Sequence, residues 1–551
     1  MSTFASSSVL AICVLLVGQT AHAATNTPSG SYNLTCKNIS VNAAADTLSA
    51  ICVKLDNQSQ ATTLPKLTAC MNSITQNGDI ANLDGNLVCM PDLPKPDSAF
   101  VFPQSETQIN QWIYSGNNAP QYAHSWGIWS GLTQGVGIVD GVPVRAFETW
   151  PTPSEMIYQI QSGQAGLFLG KQLNIQPRHL KLSLPHQFRN VAAAAKEKAA
   201  LLKAASSSDG DTNIFVSVAY NPPAAKHAVS NKLFLQSTLD QYLKEGYTDI
   251  PNFPSNAITI KPVYKVIPKN IAGGIYTFPG WPGTPVPAKT FPEQDWNACV
   301  YVDILHTGKG GNGIDQGCKG RTPASTFYLN DFIHQQITKD DATYLTQQLG
   351  LQVSEGDYAI LVGMHVTTRE IKRWVWQTFF WSANADSPYA PSSTAIAQAR
   401  PMKYLDTAAA HYAMAIAYQM VTPAQPITGG TNSGSSLIAY NPHLEASFDP
   451  GVFQYCASVG GQYSTPSAAN CKLSDPSINR FGVQTNCMTC HHLAMYNPKI
   501  DYNINQGANR ETPYGTNFYM SLTDPAFNGA LQLDFAWSLL GSMVSNSGGT
   551  P

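Results

Sequence analysis

Two neighbouring stretches of the chain are strongly apolar: Tyr358-Ala-Ile-Leu-Val-Gly-Met-His-Val366 and Trp374-Val-Trp-Gln-Thr-Phe-Phe-Trp381. Their length and their content of β-branched and aromatic side chains predict buried β-strands. Comparable patterns predict further strands at 214–220, 257–267 and 298–305. Other patterns predict helices at 191–205, 233–246, 340–350 and 406–420. We therefore expect a large mixed, β-rich domain, and the predicted fold class is α+β.

A C-terminal pentapeptide, Cys487-Met-Thr-Cys-His491, has the Cys-x-x-Cys-His spacing of covalent haem c attachment. Thiols three residues apart lie on one side of a helical turn, where both can bond to one porphyrin. His491 follows directly and can supply an imidazole nitrogen as the proximal ligand of the iron. The expected cofactor is therefore one haem c, bound covalently by Cys487 and Cys490 and ligated by His491.

Other interpretations of this cysteine pair stay open. In an exported protein a Cys-x-x-Cys pair can be a disulfide or a redox dithiol. Cysteines also bind zinc, although no second Cys-x-x-Cys or suitably spaced histidine pair completes a set of four ligands. If the cofactor is haem, a distal ligand must come from elsewhere in the fold, and the candidates are His411, in a predicted helix, and His365, in a predicted strand. A five-coordinate iron is equally compatible with the sequence.

The N-terminus has the pattern of an export signal. Residues 9–18 form an apolar run that is too short to cross a bilayer, and Ala21-His-Ala23 is a small-x-small cleavage pattern. Residues 1–23 are therefore predicted to be a signal peptide, with an uncleaved anchor as the alternative. The mature protein is expected to be secreted or periplasmic and to have no membrane span. A formal net charge of -3, with 12% charged residues, argues against nucleic acid as a partner.

The remaining cysteines suggest a set of disulfides. Of the 11 cysteines, Cys13 leaves with the signal peptide and two belong to the haem motif. The other eight form couples that are close in sequence, which sequence alone cannot prove to be the true pairs. These predicted bridges are Cys36 with Cys52, Cys70 with Cys89, Cys299 with Cys318, and Cys456 with Cys471. Each would stabilise the fold by about 3 kcal/mol in the chain-entropy model.

Residues 30–90 resemble one repeat of the cyanovirin-N homology family of lectins. The resemblance rests on Cys36-Lys-Asn38, Leu48-Ser-Ala-Ile-Cys52 and Asn82-Leu-Asp-Gly-Asn-Leu87. It implies a small β-sheet fold and binding of mannose-type glycans, with Asn82 and Asp84 at sugar-contacting positions. The same two side chains are also typical of turns. Because the family usually has two repeats and one is found here, we expect the module to pack against the next domain or a second copy.

Residues 91–98 contain three prolines and are predicted to be a linker, which leaves 99–545 as the haem c domain, with subdivision open. This domain is similar to a set of exported bacterial mono-haem proteins. They share the patterns found here at 365–370, 374–381, 440–445 and 486–491. The resemblance implies one haem per chain and no particular reaction. Trp374, Trp376 and Trp381 are expected either to pack in the core or to line the haem pocket.

The expected function is electron transfer by a secreted c-type haem protein that carries a carbohydrate-binding-like module. Its partners would be a redox partner protein or a small oxidant, and a glycan. One alternative is a haem enzyme of the peroxidase or oxygenase type, with an open distal side at the iron. Another is a glycan-binding protein whose haem is structural.

Overall fold

The computed structural model describes residues 27–545 apart from several internal segments. The segments left out are 55–57, 75–77, 84, 98, 140–141, 163–213, 350–351, 423–434, 449–480, 499–518, 520 and 524–526. Four predictions therefore lie outside the described residues: the signal peptide at 1–23, the helix at 191–205, Asp84, and the bridge between Cys456 and Cys471.

The N-terminal module consists of a three-stranded antiparallel sheet, a short helix and a hairpin. These elements are β1 (Cys36–Asn42), β2 (Thr47–Val53), β3 (Ser59–Pro65), α1 (Leu67–Ser73), β4 (Asp79–Leu83) and β5 (Asn86–Met90). The Cys36–Cys52 disulfide joins β1 to β2, and the Cys70–Cys89 disulfide joins α1 to β5. Both bridges confirm the predicted pairs and cross-link a core of only modest size.

The module's hairpin continues into the following part of the chain. After helices α2 (Glu106–Tyr114) and α3 (Asn118–Leu132), strands β6 (Gly135–Val139) and β7 (Val142–Arg145) extend it to a four-stranded sheet in the order β4-β5-β6-β7. The N-terminal module therefore packs against the part of the chain that follows it, which is one of the two arrangements expected from the sequence. The segment predicted as a linker also packs, because Leu93 is buried in the main core and the Trp150 indole donates a hydrogen bond to the Pro91 carbonyl at 2.9 Å.

The rest of the chain alternates strands with short helices. Its strands are β8 (Ile214–Val216), β9 (Ala219–Tyr220), β10 (Ile258–Ile267), β11 (Ile275–Pro279), β12 (Ala298–Asp303), β13 (Asp315–Gln316), β14 (Thr326–Tyr328), β15 (His334–Gln336), β16 (Tyr358–Thr368), β17 (Val375–Trp381), β18 (Tyr412–Ala417), β19 (Val421–Thr422), β20 (Ser435–Ser436), β21 (Met495–Tyr496) and β22 (Leu531–Gln532). Its helices are α4 (Pro153–Ser162), α5 (Pro222–Ser230), α6 (Gln236–Lys244), α7 (Lys339–Leu349), α8 (Thr394–Gln398), α9 (Thr407–Ala410), α10 (Cys487–His492) and α11 (Trp537–Gly541). The third predicted bridge, Cys299–Cys318, is present at β12.

A seven-stranded antiparallel sheet forms the centre of this large domain. Its main path runs β18-β17-β16-β10-β8, with β15 paired to β16 and β9 paired to β10. The two stretches on which the strand prediction rests are β16 and β17, so that prediction is confirmed. Together with the disulfide-linked N-terminal sheets, this establishes a mixed α+β fold.

The helix predicted at 406–420 is wrong. Only Thr407–Ala410 is helical, and β18 begins at Tyr412 and pairs with β17 along its length. Alanine favours helices in isolation, but Tyr412, Met414 and Ile416 alternate with three alanines at the two-residue period of a strand. Tertiary pairing therefore overrides the local helix propensity of this segment.

Both faces of the central sheet are covered, which explains why its strands are apolar almost throughout. Alternation along the paired strands assigns each side chain to a face. We call one side the α3 face, defined by Met364, Phe379, Trp381 and Met414. We call the other side the motif face, defined by Lys261, His365, Trp376, Thr378 and Ala415. The first packs against α3, where Trp129 stacks on Phe379 with ring centroids 4.3 Å apart, and the second packs against α10.

In the part of the chain that the structure describes, no helix combines the length and apolar character needed to cross a bilayer.

Candidate functional site

Helix α10 carries the Cys-x-x-Cys-His motif and begins at a buried asparagine. The Asn486 side-chain oxygen accepts hydrogen bonds from the amides of Met488 and Thr489, as expected of a residue that caps a helix. Its side-chain nitrogen donates to the carbonyls of Leu437 and Gln419, which fixes the start of the helix against a neighbouring segment. The helix ends at His492, and β21 begins three residues later at Met495.

The three chemically important residues of the motif share the accessible side of α10. Cys487, Cys490 and His491 are half-buried, whereas the intervening residues point into the core. Positions i, i+3 and i+4 lie on one helical face, so the two thiols and the imidazole lie on the same side of α10. This is the arrangement that attachment and ligation of one haem require.

The two thiols are unbridged. Of the cysteines in the described ranges, only Cys487 and Cys490 are outside disulfides. Burial raises the pKa of both thiols well above the ordinary value, and the nearby Glu445 carboxylate acts in the same direction. A redox dithiol needs a lowered thiol pKa, so the electrostatics disfavour that alternative.

One ring nitrogen of His491 is engaged, which leaves the other as an acceptor. Its Nδ1 lies 2.9 Å from the Phe535 carbonyl oxygen. A carbonyl only accepts hydrogen bonds, so Nδ1 carries the proton and Nε2 keeps its lone pair. Burial lowers the pKa of His491 to about 3, which keeps the ring neutral. Metal-ligating histidines are commonly oriented in this way, so this donor set fits the predicted haem.

Trp376 forms a wall beside this histidine. Its ring centroid lies 4.3 Å from that of His491, at an interplanar angle of 40°. The Trp537 indole donates to the Cys490 carbonyl at 3.1 Å and so closes the C-terminal part of the chain over α10. Trp381 packs on the opposite face, and Trp374 packs against Phe253. Of the three tryptophans singled out from the sequence, Trp376 is therefore the one whose position suits a pocket wall.

A histidine–glutamate pair occupies the motif face close to α10. His365 Nε2 lies 3.1 Å from Glu445 Oε1, and Lys261 is the cross-strand neighbour of His365 on β10. All three side chains are half-buried. They are near enough to the motif to influence it electrostatically, since His365, Lys261 and Glu445 each shift the pKa of His491. The structure thus brings one of the two predicted distal histidines to the side of the sheet where His491 lies.

Glu445 reaches this position because the turn at 440–445 is attached to the sheet. The Asn441 side chain donates to Thr378 Oγ1 and to the Phe379 carbonyl at 2.9 and 3.0 Å. The Asn441 backbone amide donates to Glu445 Oε2 at 2.7 Å. At Gly363, a Cβ would lie only 2.5 Å from the Asn441 side-chain nitrogen, so glycine allows this close approach.

The same turn is attached a second time by a buried ionic cluster. His443 Nδ1 lies 2.7 Å from Glu293 Oε1, and the Lys265 ammonium pairs with the other oxygen of the same carboxylate. Burial alone would raise the pKa of Glu293, but Lys265 and His443 outweigh it and hold that pKa below its ordinary value. Burial lowers the pKa of His443, which keeps it neutral. This cluster holds the turn in place.

The other predicted distal histidine lies on the α3 face. His411 Nε2 is 3.3 Å from Asp331 Oδ1, and its ring packs against Trp381 and Phe327. The sheet therefore separates His411 from α10. Of the two candidates named from the sequence, the structure favours His365 as the residue associated with the motif.

Asn82, the predicted sugar-contacting residue within the described chain, is engaged inside the module. Its side-chain nitrogen donates to Thr35 Oγ1 and to the Val53 carbonyl, each at 2.9 Å, and its side-chain oxygen accepts from the Gly85 amide at 2.8 Å. These contacts support the turn-forming interpretation. Its role in glycan binding stays a prediction.

Sequence reasoning missed the roles of Lys261, Asn441 and Glu445. The pattern Tyr-Asn-Pro-His-Leu-Glu at 440–445 was noticed but had no assigned role. Lys261 interrupts an apolar strand, which was the available signal for a functional position. No protein-family model matches the chain, and comparisons with curated proteins and with solved structures find no significant match.

Proposed function

We propose that this protein is an exported c-type haem protein whose function is electron transfer. Cys487 and Cys490 would bind one haem through thioether bonds, and His491 would be its proximal ligand. The observation that carries the proposal is the shared orientation of these three side chains on one capped helix, with His491 Nδ1 hydrogen-bonded to the Phe535 carbonyl. A redox dithiol does not need a histidine oriented in this way.

A bound haem would supply a one-electron redox couple. The chain's own residues would hold and orient it. The Phe535 carbonyl fixes the tautomer and ring orientation of His491, and Trp376 limits the access of water to that ring. Electrons would pass to or from a redox partner protein or a small oxidant.

Export is supported by the disulfides. Cys36–Cys52, Cys70–Cys89 and Cys299–Cys318 are typical of secreted or periplasmic proteins, because reducing compartments do not maintain such bridges. Haem c is attached in the same oxidising compartments. The N-terminal glycan-binding module implied by the lectin resemblance would be joined to the redox domain through the sheet β4-β5-β6-β7.

The direct test is expression together with a haem c maturation system. We expect intact-mass analysis to show one covalently bound haem, and we expect Cys487→Ala or Cys490→Ala to reduce the number of thioether bonds by one each. The double variant should carry no covalent haem. Cys299→Ala combined with Cys318→Ala is the matched control, because it removes two cysteines from a disulfide and leaves α10 intact. A wild-type protein that matures without covalent haem would overturn the proposal.

One observation favours the enzyme as a second candidate. His365 Nε2, a nitrogen that could bind iron, is already paired with Glu445. A histidine in such a pair suits proton transfer better than iron ligation, which leaves room for a small molecule at the haem.

A further inference from the structure

We propose that His365 and Glu445 form a proton-accepting pair beside the haem that the motif helix would hold, and that the small oxidant is a peroxide. This inference rests on the proposed function, since it names the oxidant of that same site. His365 is then a group that contacts substrate and not an iron ligand.

The two histidines near the motif have opposite nitrogens engaged. His491 donates from Nδ1 to the Phe535 carbonyl, which leaves Nε2, the outer nitrogen, for a metal. His365 uses its own outer nitrogen, Nε2, in the pair with Glu445. For His365 to bind iron through Nε2, this pair would have to break and leave a half-buried carboxylate without its imidazole. The observed geometry therefore favours His491 as the iron ligand and His365 as a proton acceptor.

The pair is placed on the correct side of the sheet and is held there. His365 and Trp376 both project from the motif face, and the Trp376 ring lies against His491. The Asn441 amide bonds the second oxygen of Glu445 at 2.7 Å. Burial would raise the pKa of Glu445, but His365, that amide and Lys261 outweigh it and hold the pKa below its ordinary value. Glu445 is thus an ionised acceptor on a fixed support.

A peroxide is the class of oxidant that this chemistry suits. Hydrogen peroxide and organic hydroperoxides are weak acids, so a base that takes their proton promotes their entry as the conjugate base. The proton passes to the His365–Glu445 pair, and the positive charge of Lys261 lowers the cost of the anion that forms beside it. Complete reduction breaks the O–O bond and gives an alcohol and water, or two waters. It consumes two electrons from a reduced electron-carrier protein and two protons, one of which the pair can return.

The test uses the full-length, haem-loaded protein and hydrogen cyanide as the probe, because it is also a weak acid that loses its proton on binding haem. We expect a high-spin resting spectrum and rapid cyanide association in the wild type. His365→Gln and Glu445→Gln should each slow association by about 10²-fold, the usual contribution of a positioned general base. Hydrogen peroxide should be mixed with the same proteins in a stopped-flow spectrometer. It should likewise react faster with the wild type than with either variant.

His411→Gln is the matched control, because His411 forms a similar pair with Asp331 on the other face of the sheet. It should leave the cyanide association rate unchanged. A low-spin wild type that becomes high-spin in His365→Gln would show that His365 is an iron ligand and would overturn the inference while the proposed function stands. Unchanged association rates in both distal variants would also overturn it. Absence of covalent haem would remove the proposed function and the inference together.

Discussion

The two faces of the central sheet carry similar chemical groups in different surroundings. Each face has a histidine–carboxylate pair, His365–Glu445 on the motif face and His411–Asp331 on the α3 face, at 3.1 and 3.3 Å. On the α3 face the carboxylate is fully buried and the cover is an aromatic helix. On the motif face both members of the pair are partly exposed, and the cover is a short helix with a turn. The two pairs therefore differ less in their own geometry than in the surfaces that face them.

The largest expected effects come from removing one tryptophan on each face. Trp129→Ala and Trp376→Ala each delete a buried ring and should lower the free energy of unfolding by about 3–5 kcal/mol. Urea denaturation measures this cost. If the proposed haem is bound, its absorption spectrum should change in Trp376→Ala alone, since that ring contacts His491. Equal spectral changes in both variants would contradict the distinction between the faces.

A second prediction concerns the ionic support of the turn at 440–445. Glu293→Gln removes the buried carboxylate that pairs with Lys265 and should cost about 3 kcal/mol, as measured by urea denaturation. The wild type should also lose stability in acid. The folded-state pKa of Glu293 lies below its unfolded value, so its contribution is complete above the unfolded value and is lost as the pH falls through the folded value. The lowered pKa of His443 acts in the same direction.

Hydrogen exchange locates this acid effect. We expect the turn at 440–445 to lose protection first as the pH falls, while α3 keeps its protection because aromatic packing, which does not titrate, holds it. In Glu293→Gln the hydrogen-exchange protection of this turn should depend less on pH. Loss of protection at both faces at the same pH would show that they are not supported in different ways.

The smallest losses of stability are expected from substitutions at two neighbouring residues of β18 whose side chains lie on opposite faces of the sheet. Ala415 is buried on the motif face, and Ala415→Leu should cost about 1–3 kcal/mol because the added atoms overpack it. Met414→Leu on the α3 face nearly conserves volume and should cost less than about 1.5 kcal/mol. Thermal denaturation measures both. A larger loss in Met414→Leu would indicate that the α3 face is the more tightly packed one.

The sequence predicted those parts of the structure that depend on local composition. The strands β16 and β17 and three disulfides follow from apolar runs and from cysteines that are close in sequence. The Cys487-to-His491 pentapeptide predicts haem attachment because its spacing meets the chemical requirement, and this stays a prediction.

Other parts depend on contacts that no local pattern encodes. The segment at 406–420 became a strand because β17 offers it a partner. His365 and His411 were indistinguishable until the sheet assigned them to opposite faces. Glu445 joins His365 only because Asn441 attaches a distant turn to the sheet beside Gly363. Sequence reasoning can name such residues but cannot assemble them, since their pairing is long-range.

The continuation of the N-terminal hairpin into β6 and β7 has a consequence for how the protein can be divided. Cutting the chain within 91–98 would leave the exposed edge of β5 on one fragment and that of β6 on the other. Unpaired edges of this kind promote aggregation of the separated pieces. Because α3, which precedes β6, belongs to the main core, thermal melting of the N-terminal module should be cooperative with that of the large domain. The N-terminal module is in this respect an integral part of the protein, and a fragment that ends near residue 90 is a poor substitute for the whole.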